Sequence, residues 1–234
     1  MARKIIVVTA AYGHDCIKEL GGQSAVLPFI AGSGADGVEI RRELFSADEL
    51  NQLPALAATI ERHNLLACYS APEALFEADG ALNPRLPALL REAQTLNALW
   101  LKLSLGHFIH NNELESLRRI LQESGMALVV ENDQTDCGQL APMQRFKASC
   151  RVNQLPVTLT FDMGNWLWVA IRRKRPHGIW LPPSAISMSK PQSRIMRTFA
   201  PSRPMKLRHA GWRCSTTCPP MPRAVSNFRW WVTI

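Results

Sequence analysis

The sequence predicts an α/β fold with a parallel sheet, closed as a (β/α)8 TIM barrel in which only about six β/α units are recognisable. Short apolar runs rich in β-branched residues alternate with longer amphipathic segments, which is typical of strands joined by crossover helices. The units repeat about every 25–35 residues, and this even spacing favours a barrel over a doubly wound sheet. The sequence contains neither GxGxxG nor a P-loop, which disfavours the nucleotide-binding folds.

Six apolar runs are predicted as strands because each is short and is bounded by polar or turn-forming residues. In chain order they occupy residues 5–11, 37–40, 65–69, 98–103, 127–131 and 157–162. In a parallel barrel the carboxyl ends of all these strands would meet at one end, where working residues are expected.

Five amphipathic segments between these runs are predicted as helices, at residues 16–33, 46–63, 86–96, 112–125 and 139–150. Ser46 and Glu49 form the pattern of a capping box at the start of the second helix. Asn112 is predicted to cap the fourth helix, which has leucines on one face, and Gly125 is predicted to end it.

The composition changes near Val169. Residues 1–169 contain 14 Lys and Arg residues and all 19 Asp and Glu residues, whereas residues 170–234 contain 13 Lys and Arg residues and no acid. Nine of the 16 prolines also lie in residues 170–234. We therefore expect an incomplete barrel domain over 1–169 and a basic, Pro-rich, irregular and poorly ordered tail over 170–234. The net charge of +8 comes from the tail and does not characterise the barrel.

The cysteines and the hydropathy bear on the compartment. The six cysteines are scattered and fit no disulfide framework, so we expect reduced thiols and a cytoplasmic protein. No run approaches the roughly 18 apolar residues of a membrane span, and no membrane partner is expected.

Charged residues near the carboxyl ends of the predicted strands are the candidate site residues. They are Glu39, Lys102, Glu131 and Asp162. A carboxylate at the end of an apolar strand costs free energy unless it is paired or binds a metal ion. Each acid alone is explained as well by a helix cap or an arginine partner. Two acids that end adjacent strands, Glu131 and Asp162, indicate a functional site more strongly.

The segments around these acids carry a resemblance to a known superfamily. Residues 34–41 (Gly-Ala-Asp-Gly-Val-Glu-Ile-Arg), 129–133 (Val-Val-Glu-Asn-Asp) and 161–166 (Phe-Asp-Met-Gly-Asn-Trp) resemble the xylose isomerase-like TIM barrels. The resemblance covers about residues 4–169. This superfamily includes sugar and sugar-phosphate isomerases and epimerases, and the family 2 AP endonucleases.

The resemblance implies a divalent cation, Mn²⁺ or Mg²⁺, at the barrel mouth. In the epimerases its ligands are a Glu from strand five, an Asp from strand six, a His from strand seven and a Glu from strand eight. By motif Glu131 and Asp162 match the first two, and Glu131 also matches the base that moves the proton. The cation polarises a carbonyl and the neighbouring hydroxyl while a carboxylate removes the proton between them. Glu39 and Lys102 are candidate substrate contacts, with a structural ion pair as an equally open alternative.

The implied reaction is isomerisation or epimerisation of a sugar, a sugar phosphate or a keto-sugar acid. The AP endonuclease branch is disfavoured because it needs a cluster of His ligands for several zinc ions. His107 and His110 are close in sequence, but we predict that they are solvated loop residues.

The tail lacks the expected His and Glu at the ends of strands, which suggests a frameshift near Val169. With free choice of synonymous codons, reading residues 184–190 from the third base of each codon can give Arg-His-Ile-His-Val-Lys. In the same frame, residues 223–233 can give a segment that begins Arg-Arg-Ile-Glu-Phe-Pro. Both missing ligands then reappear in order. We therefore hypothesise that an out-of-frame reading replaced strands seven and eight.

For the chain as written we expect weak metal binding, little activity and poor solubility. A sugar substrate is the expected partner, and a homodimer is a further hypothesis. The main alternative is a nucleic-acid-binding protein that uses the basic tail, whose densest cluster is residues 172–175. Another alternative is a barrel that binds sugar without turnover.

Overall fold

The computed structural model describes residues 4–109 and 111–166, which contain one six-stranded sheet. The strands are β1 Ile6–Val8, β2 Gly37–Arg41, β3 Leu66–Phe76, β4 Ala98–Gly106, β5 Leu128–Glu131 and β6 Val157–Thr160. Each strand pairs in parallel with the next strand along the chain. This order is that of a barrel wound in one direction, whereas the order reverses in a doubly wound sheet. The predicted TIM-barrel class is confirmed as a six-stranded part of a barrel.

Helices follow the strands and cover one face of the sheet. They are α1 His14–Glu19, α2 Leu27–Gly32, α3 Ala47–Leu50, α4 Leu53–Arg62, α5 Leu86–Thr95, α6 Leu114–Ser124 and α7 Leu140–Val152. In α5 the buried residues are Leu86, Leu89, Leu90 and Ala93, a spacing that places them on one helix face. Burying each such leucine stabilises the fold by about 1.5–3 kcal/mol, so this face fixes the helix on the sheet.

The strands carry a second, smaller apolar layer on their other face. Ala67 and Tyr69 of β3 belong to the main core, whereas Cys68 between them packs with Ile6 and Trp100 in a separate cluster. Side chains alternate across a sheet, so this small cluster lies on the inner face, away from the helices. It forms the floor of the partial barrel.

The helix predicted at residues 16–33 is wrong as a single element. It is interrupted between α1 and α2, and a 3₁₀ turn occupies Gln23–Val26. Gly21 and Gly22 have φ angles of 90° and 111°, which no residue of a right-handed helix adopts. The apolar periodicity runs through the break, and only the glycine pair marks it in the sequence.

The helix predicted at residues 46–63 is also two helices, although its capping box is confirmed. Ser46 accepts from the backbone N–H of Glu49, and the Glu49 carboxylate accepts from the backbone N–H of Ser46. The chain then leaves the helix, and α4 begins at Leu53. Pro54 explains the break because it has no N–H and its ring would clash with the preceding turn of a continuous helix.

The predicted cap at Asn112 is wrong, since this residue lies in a 3₁₀ turn over Asn111–Glu113 and Glu113 caps α6. The stop at Gly125 is confirmed by its left-handed φ of 63°. The first strand is shorter than predicted because Thr9–Tyr12 forms a 3₁₀ turn. Strands β3 and β4 run beyond their predicted ends because they continue to pair as far as Phe76 and Gly106.

Several expectations lie outside the described residues. They include the boundary at residue 169, everything expected of residues 170–234, and His110. Within the described ranges Cys16, Cys68, Cys137 and Cys150 are free thiols, as predicted. In the same ranges none of the helices is both long and apolar enough to cross a membrane.

Candidate active site

Glu131 ends β5 and Asp162 follows β6, as predicted. Glu39 and Lys102 instead lie inside β2 and β4, and Lys102 is four residues before the end of its strand because β4 continues to Gly106. Side chains two residues apart in a strand lie on the same face of the sheet. Lys102 therefore shares the inner face with Trp100 in β4, and Glu131 shares it with Val129 in β5. Glu39 lies on the same face of β2, where its carboxylate contacts Lys102. Asp162 comes two residues after Thr160, the register partner of Glu131.

Ion pairs connect these residues in a line across the sheet. The Lys102 Nζ atom lies 2.8 Å from Glu39 Oε1 and 3.4 Å from Glu131 Oε1. Arg41 contacts the other side of Glu39, with Nη1 3.5 Å from Oε1, and its Nη2 lies 2.7 Å from Glu43 Oε1. Asp162 is not part of these ion pairs, but its charge acts on Glu131. We call the five paired residues together with Asp162 the mouth charge row: Glu43, Arg41, Glu39, Lys102, Glu131 and Asp162.

The electrostatics of the mouth charge row are dominated by burial. Burial alone would lower the pKa of Lys102, but the carboxylates of Glu39 and Glu131 raise it above its ordinary value and keep the ammonium charged. The pKa of Glu131 is raised, first by burial and then by the charges of Glu39 and Asp162, although Lys102 opposes this. The negative charge of ionised Glu131 is therefore only partly offset by Lys102.

Comparison with solved structures identifies the fold. A xylose isomerase domain-containing protein from Salmonella typhimurium superposes with a TM-score of 0.54 at 16% sequence identity, covering 74% of this chain. A D-psicose 3-epimerase, solved in the presence of D-fructose, has a TM-score of 0.47 at 10% identity over 74% of this chain. A D-tagatose 3-epimerase-like protein has a TM-score of 0.48 at 16% identity over 70% of this chain.

The chain has the fold of the xylose isomerase-like TIM barrels. It spans 66% of the length of each of these three structures. No protein-family profile matches the sequence, and no curated protein matches it either. At 16% identity the likeness shows the fold, and the activity has to be inferred from the site.

The Asp162 end of the mouth charge row is held by amides. The Asn132 side chain donates from Nδ2 to the backbone oxygen of Asp162 at 2.9 Å and accepts from its backbone N–H at 2.7 Å. Asn165 donates its backbone N–H to Asp162 Oδ1 at 2.9 Å, and its Nδ2 reaches the backbone oxygen of Asn132 at 2.9 Å. Asn132 is 1% exposed, so these hydrogen bonds tie the ends of β5 and β6 together.

A buried glutamine holds the other end of the row. Gln23 Oε1 accepts from the Thr9 hydroxyl at 2.7 Å and from the backbone N–H of Arg41 at 3.0 Å, while its Nε2 donates to the Arg41 backbone oxygen at 2.9 Å. The sequence analysis missed Gln23 and Asn132. Asn132 could have been predicted, because it directly follows Glu131 in residues 129–133, which resemble the superfamily. Nothing in the sequence indicated Gln23.

The acid pair offers two carboxylate donors to a divalent cation, which is fewer than a complete metal site needs. Among residues 4–109 and 111–166, no group of three or more His, Cys, Asp and Glu side chains is arranged to hold a metal ion. Glu131 and Asp162 supply the carboxylate oxygens that Mg²⁺ and Mn²⁺ prefer. Their charges also repel each other, which a cation between them would relieve.

A second group of charges lies against α5 on the helix side of the sheet. Arg42 binds both oxygens of Glu92, with Nε–Oε2 2.8 Å and Nη2–Oε1 3.1 Å, and the Tyr69 hydroxyl donates to Glu92 Oε2 at 2.5 Å. Glu73 Oε1 lies 3.3 Å from Arg42 Nη1 and 2.7 Å from Arg85 Nη1. We call these five residues the outer charge cluster.

Proposed function

We propose that this chain is a divalent-metal-dependent sugar isomerase or epimerase by descent, and that it is impaired as written. The observation that carries the proposal is the order of charges in the mouth charge row. From Glu43 to Glu131 each acid alternates with a cation, and the alternation fails only between Glu131 and Asp162, where two acids adjoin. In the part of the chain that the structure describes, Lys102 is the one cation in contact with this pair, through Glu131, and a bound metal ion would offset the remaining negative charge.

Glu131 and Asp162 are the proposed ligands of this ion, Mn²⁺ or Mg²⁺. Bound there, the ion would supply the positive charge that stabilises a substrate oxygen as negative charge develops on it. Glu131 is also the proposed base, which removes the proton from the carbon next to the substrate carbonyl.

Lys102 and Glu39 are the proposed substrate contacts. An ammonium has three hydrogens to donate, and the structure directs two of them to Glu39 and Glu131. We propose that the third is donated to a substrate hydroxyl. Glu39 is 4% exposed, so its part is to hold Lys102 in place more than to meet the substrate directly.

The impairment follows from the ligand count. The resemblance implies four protein ligands, and the motifs of this chain match two of them. A substrate would then be held by an incompletely coordinated ion, which lowers both its affinity and its alignment with Glu131.

Exchange of the substrate proton with solvent tests the proposed function. The full chain, with Mn²⁺ and a panel of ketoses in D₂O, should incorporate deuterium next to the carbonyl slowly, and Glu131→Gln should abolish the incorporation. Glu115→Gln is the matched control, because that side chain is 77% exposed on α6 and far from the acid pair in sequence. Exchange that survives Glu131→Gln, or no exchange above the metal-only blank, would refute the proposal. A turnover in the ordinary enzyme range, on the order of 10 s⁻¹, would refute the impairment alone.

A further inference from the structure

Lys102 is the point at which the mouth charge row meets the proposed cation site. Its side chain is 12% exposed, and its ammonium is shared between Glu39, at 2.8 Å, and Glu131, at 3.4 Å. A cation in this position interacts with the same carboxylate that the metal ion is proposed to bind. The two positive charges therefore compete for Glu131.

Contacts of its side chain and backbone hold Glu39 in place, and its position determines where the Lys102 ammonium lies. Its side chain is 5% exposed, and the oxygen that contacts Lys102 also lies 3.5 Å from Arg41 Nη1. Its backbone oxygen accepts from the Thr9 hydroxyl at 3.2 Å, inside a strand that pairs on both sides. A carboxylate this constrained acts as the anchor of the pair, and the shorter of the two Lys102 contacts is the one to Glu39.

We propose that Glu39 anchors Lys102 as an internal counter-ion that competes with the divalent cation for Glu131, so that this ion pair sets the cation affinity of the site. The inference rests on the proposed cation role of Glu131 and Asp162 and adds how that role is controlled. Lys102 offsets part of the acid surplus when the cation is absent. Glu39 restrains the ammonium from closing fully on Glu131 and so leaves that carboxylate accessible to the cation.

Two substitutions should change Mn²⁺ affinity in opposite directions. Lys102→Gln removes the competing charge and should tighten Mn²⁺ binding by about tenfold, since a unit charge near 4 Å in a partly buried site is worth at least that factor. Glu39→Gln releases Lys102 toward Glu131 and should weaken binding by about tenfold. Lys102→Arg retains the charge between the two carboxylates, so its affinity should stay within about threefold of the unmodified chain.

A double-mutant cycle separates an anchored counter-ion from a simple sum of charges. If Glu39 acts through Lys102, Glu39→Gln should have little effect once Lys102→Gln is present. If each charge acts on the cation independently, the two effects should add in the double variant. Additivity would overturn the proposal.

The measurement is an Mn²⁺ titration of the full chain, followed by the electron paramagnetic resonance of the free ion. Lys147→Gln is the control, because it removes the same charge from an exposed position on α7 and should leave the affinity unchanged. Thermal unfolding of each variant checks that it is folded. If the unmodified chain binds Mn²⁺ through Asp162 and folded Lys102→Gln binds it with the same affinity, this inference alone is overturned. Binding that is absent both from the unmodified chain and from Lys102→Gln would overturn the proposed function as well.

Discussion

The mouth charge row and the outer charge cluster lie on opposite faces of the same sheet, and they differ in their balance of charge. The outer cluster has two cations and two acids, and its ionic contacts join oppositely charged groups. The mouth row has two cations and four acids, with the surplus at Glu131 and Asp162. A balanced cluster stabilises the fold. A surplus of partly buried acid that is only partly offset by cations is expected to destabilise it.

The largest effect should come from unbalancing the outer charge cluster. Arg42→Gln leaves Glu73 and Glu92 without their shared cation, and should reduce the free energy of unfolding by about 3 kcal/mol. Urea unfolding of the full chain measures this. Arg62→Gln is the control, because it removes the same charge from an exposed position in the last turn of α4 and the loss should be below about 0.5 kcal/mol. Equal losses in the two variants would show that the outer cluster is not a structural unit.

The next effect concerns how the acid pair is held in place. Asn132→Ala removes two buried hydrogen bonds to the backbone of Asp162, and should cost about 2 kcal/mol of unfolding free energy. Gln134→Ala, in the same loop, loses one exposed hydrogen bond to Asn165 and should cost less than about 0.5 kcal/mol. Both are measured by urea unfolding, and a cost at Asn132 no larger than at Gln134 would contradict the assigned clamp.

Replacing a glutamate by glutamine should change the stability in opposite directions in the two groups of charges. Glu92→Gln should destabilise the chain by about 1.5 kcal/mol, because the charged hydrogen bonds from Arg42 weaken. Glu131→Gln should stabilise it by roughly 0.5–1 kcal/mol, because one acid of the repelling pair becomes neutral. Thermal unfolding without metal measures both, and destabilisation by Glu131→Gln would remove the distinction between the two groups of charges.

The smallest effect is the pH dependence of those two differences. Burial would raise the pKa of Glu92, but hydrogen bonds from Arg42 and Tyr69 lower it below its ordinary value of 4.5. Its stabilisation is therefore complete well above pH 4.5 and is lost as the pH falls through the lowered value. The pKa of Glu131 is raised above 4.5 by burial and by the charges of Glu39 and Asp162. Ionised Glu131 therefore destabilises the folded chain, and this loss of stability develops as the pH rises from 4.5 through the raised pKa. Glu131→Gln should converge on the unmodified chain below about pH 4.5, whereas Glu92→Gln should converge only at a lower pH, below the lowered pKa of Glu92. The reverse order of convergence would contradict these assignments.

The sequence predicted the sheet better than the helices that surround it. The six strands were located because β-branched and leucine-rich runs have few alternatives to a buried parallel strand. The helix breaks at Gly22 and Pro54 were missed because apolar periodicity continues through both of them. Strand ends such as Thr9 were misplaced because the Thr9 hydroxyl, in the 3₁₀ turn that follows β1, donates a hydrogen bond to Gln23, which is 14 residues further along the chain.

Site residues could be predicted where a charged residue stands at or near the end of an apolar run in the sequence. Acids at strand ends identified Glu39, Glu131 and Asp162, since parallel strands bring their ends to one side of the sheet. The ion pairs of Lys102 with Glu39 and Glu131 could not be ranked against a substrate contact, because side-chain length and register together set those distances. The functional roles of these four residues remain predictions.

The most direct test of the acid surplus as a cation site is an Mn²⁺ titration of the full chain beside Asp162→Asn. Asp15→Asn serves as the control, since Asp15 is an exposed acid in the first turn of α1. We predict weak, saturable binding in the unmodified chain and in Asp15→Asn, and its loss in Asp162→Asn. Equal affinity in all three proteins would show that the acid pair does not hold the cation, and would contradict the account.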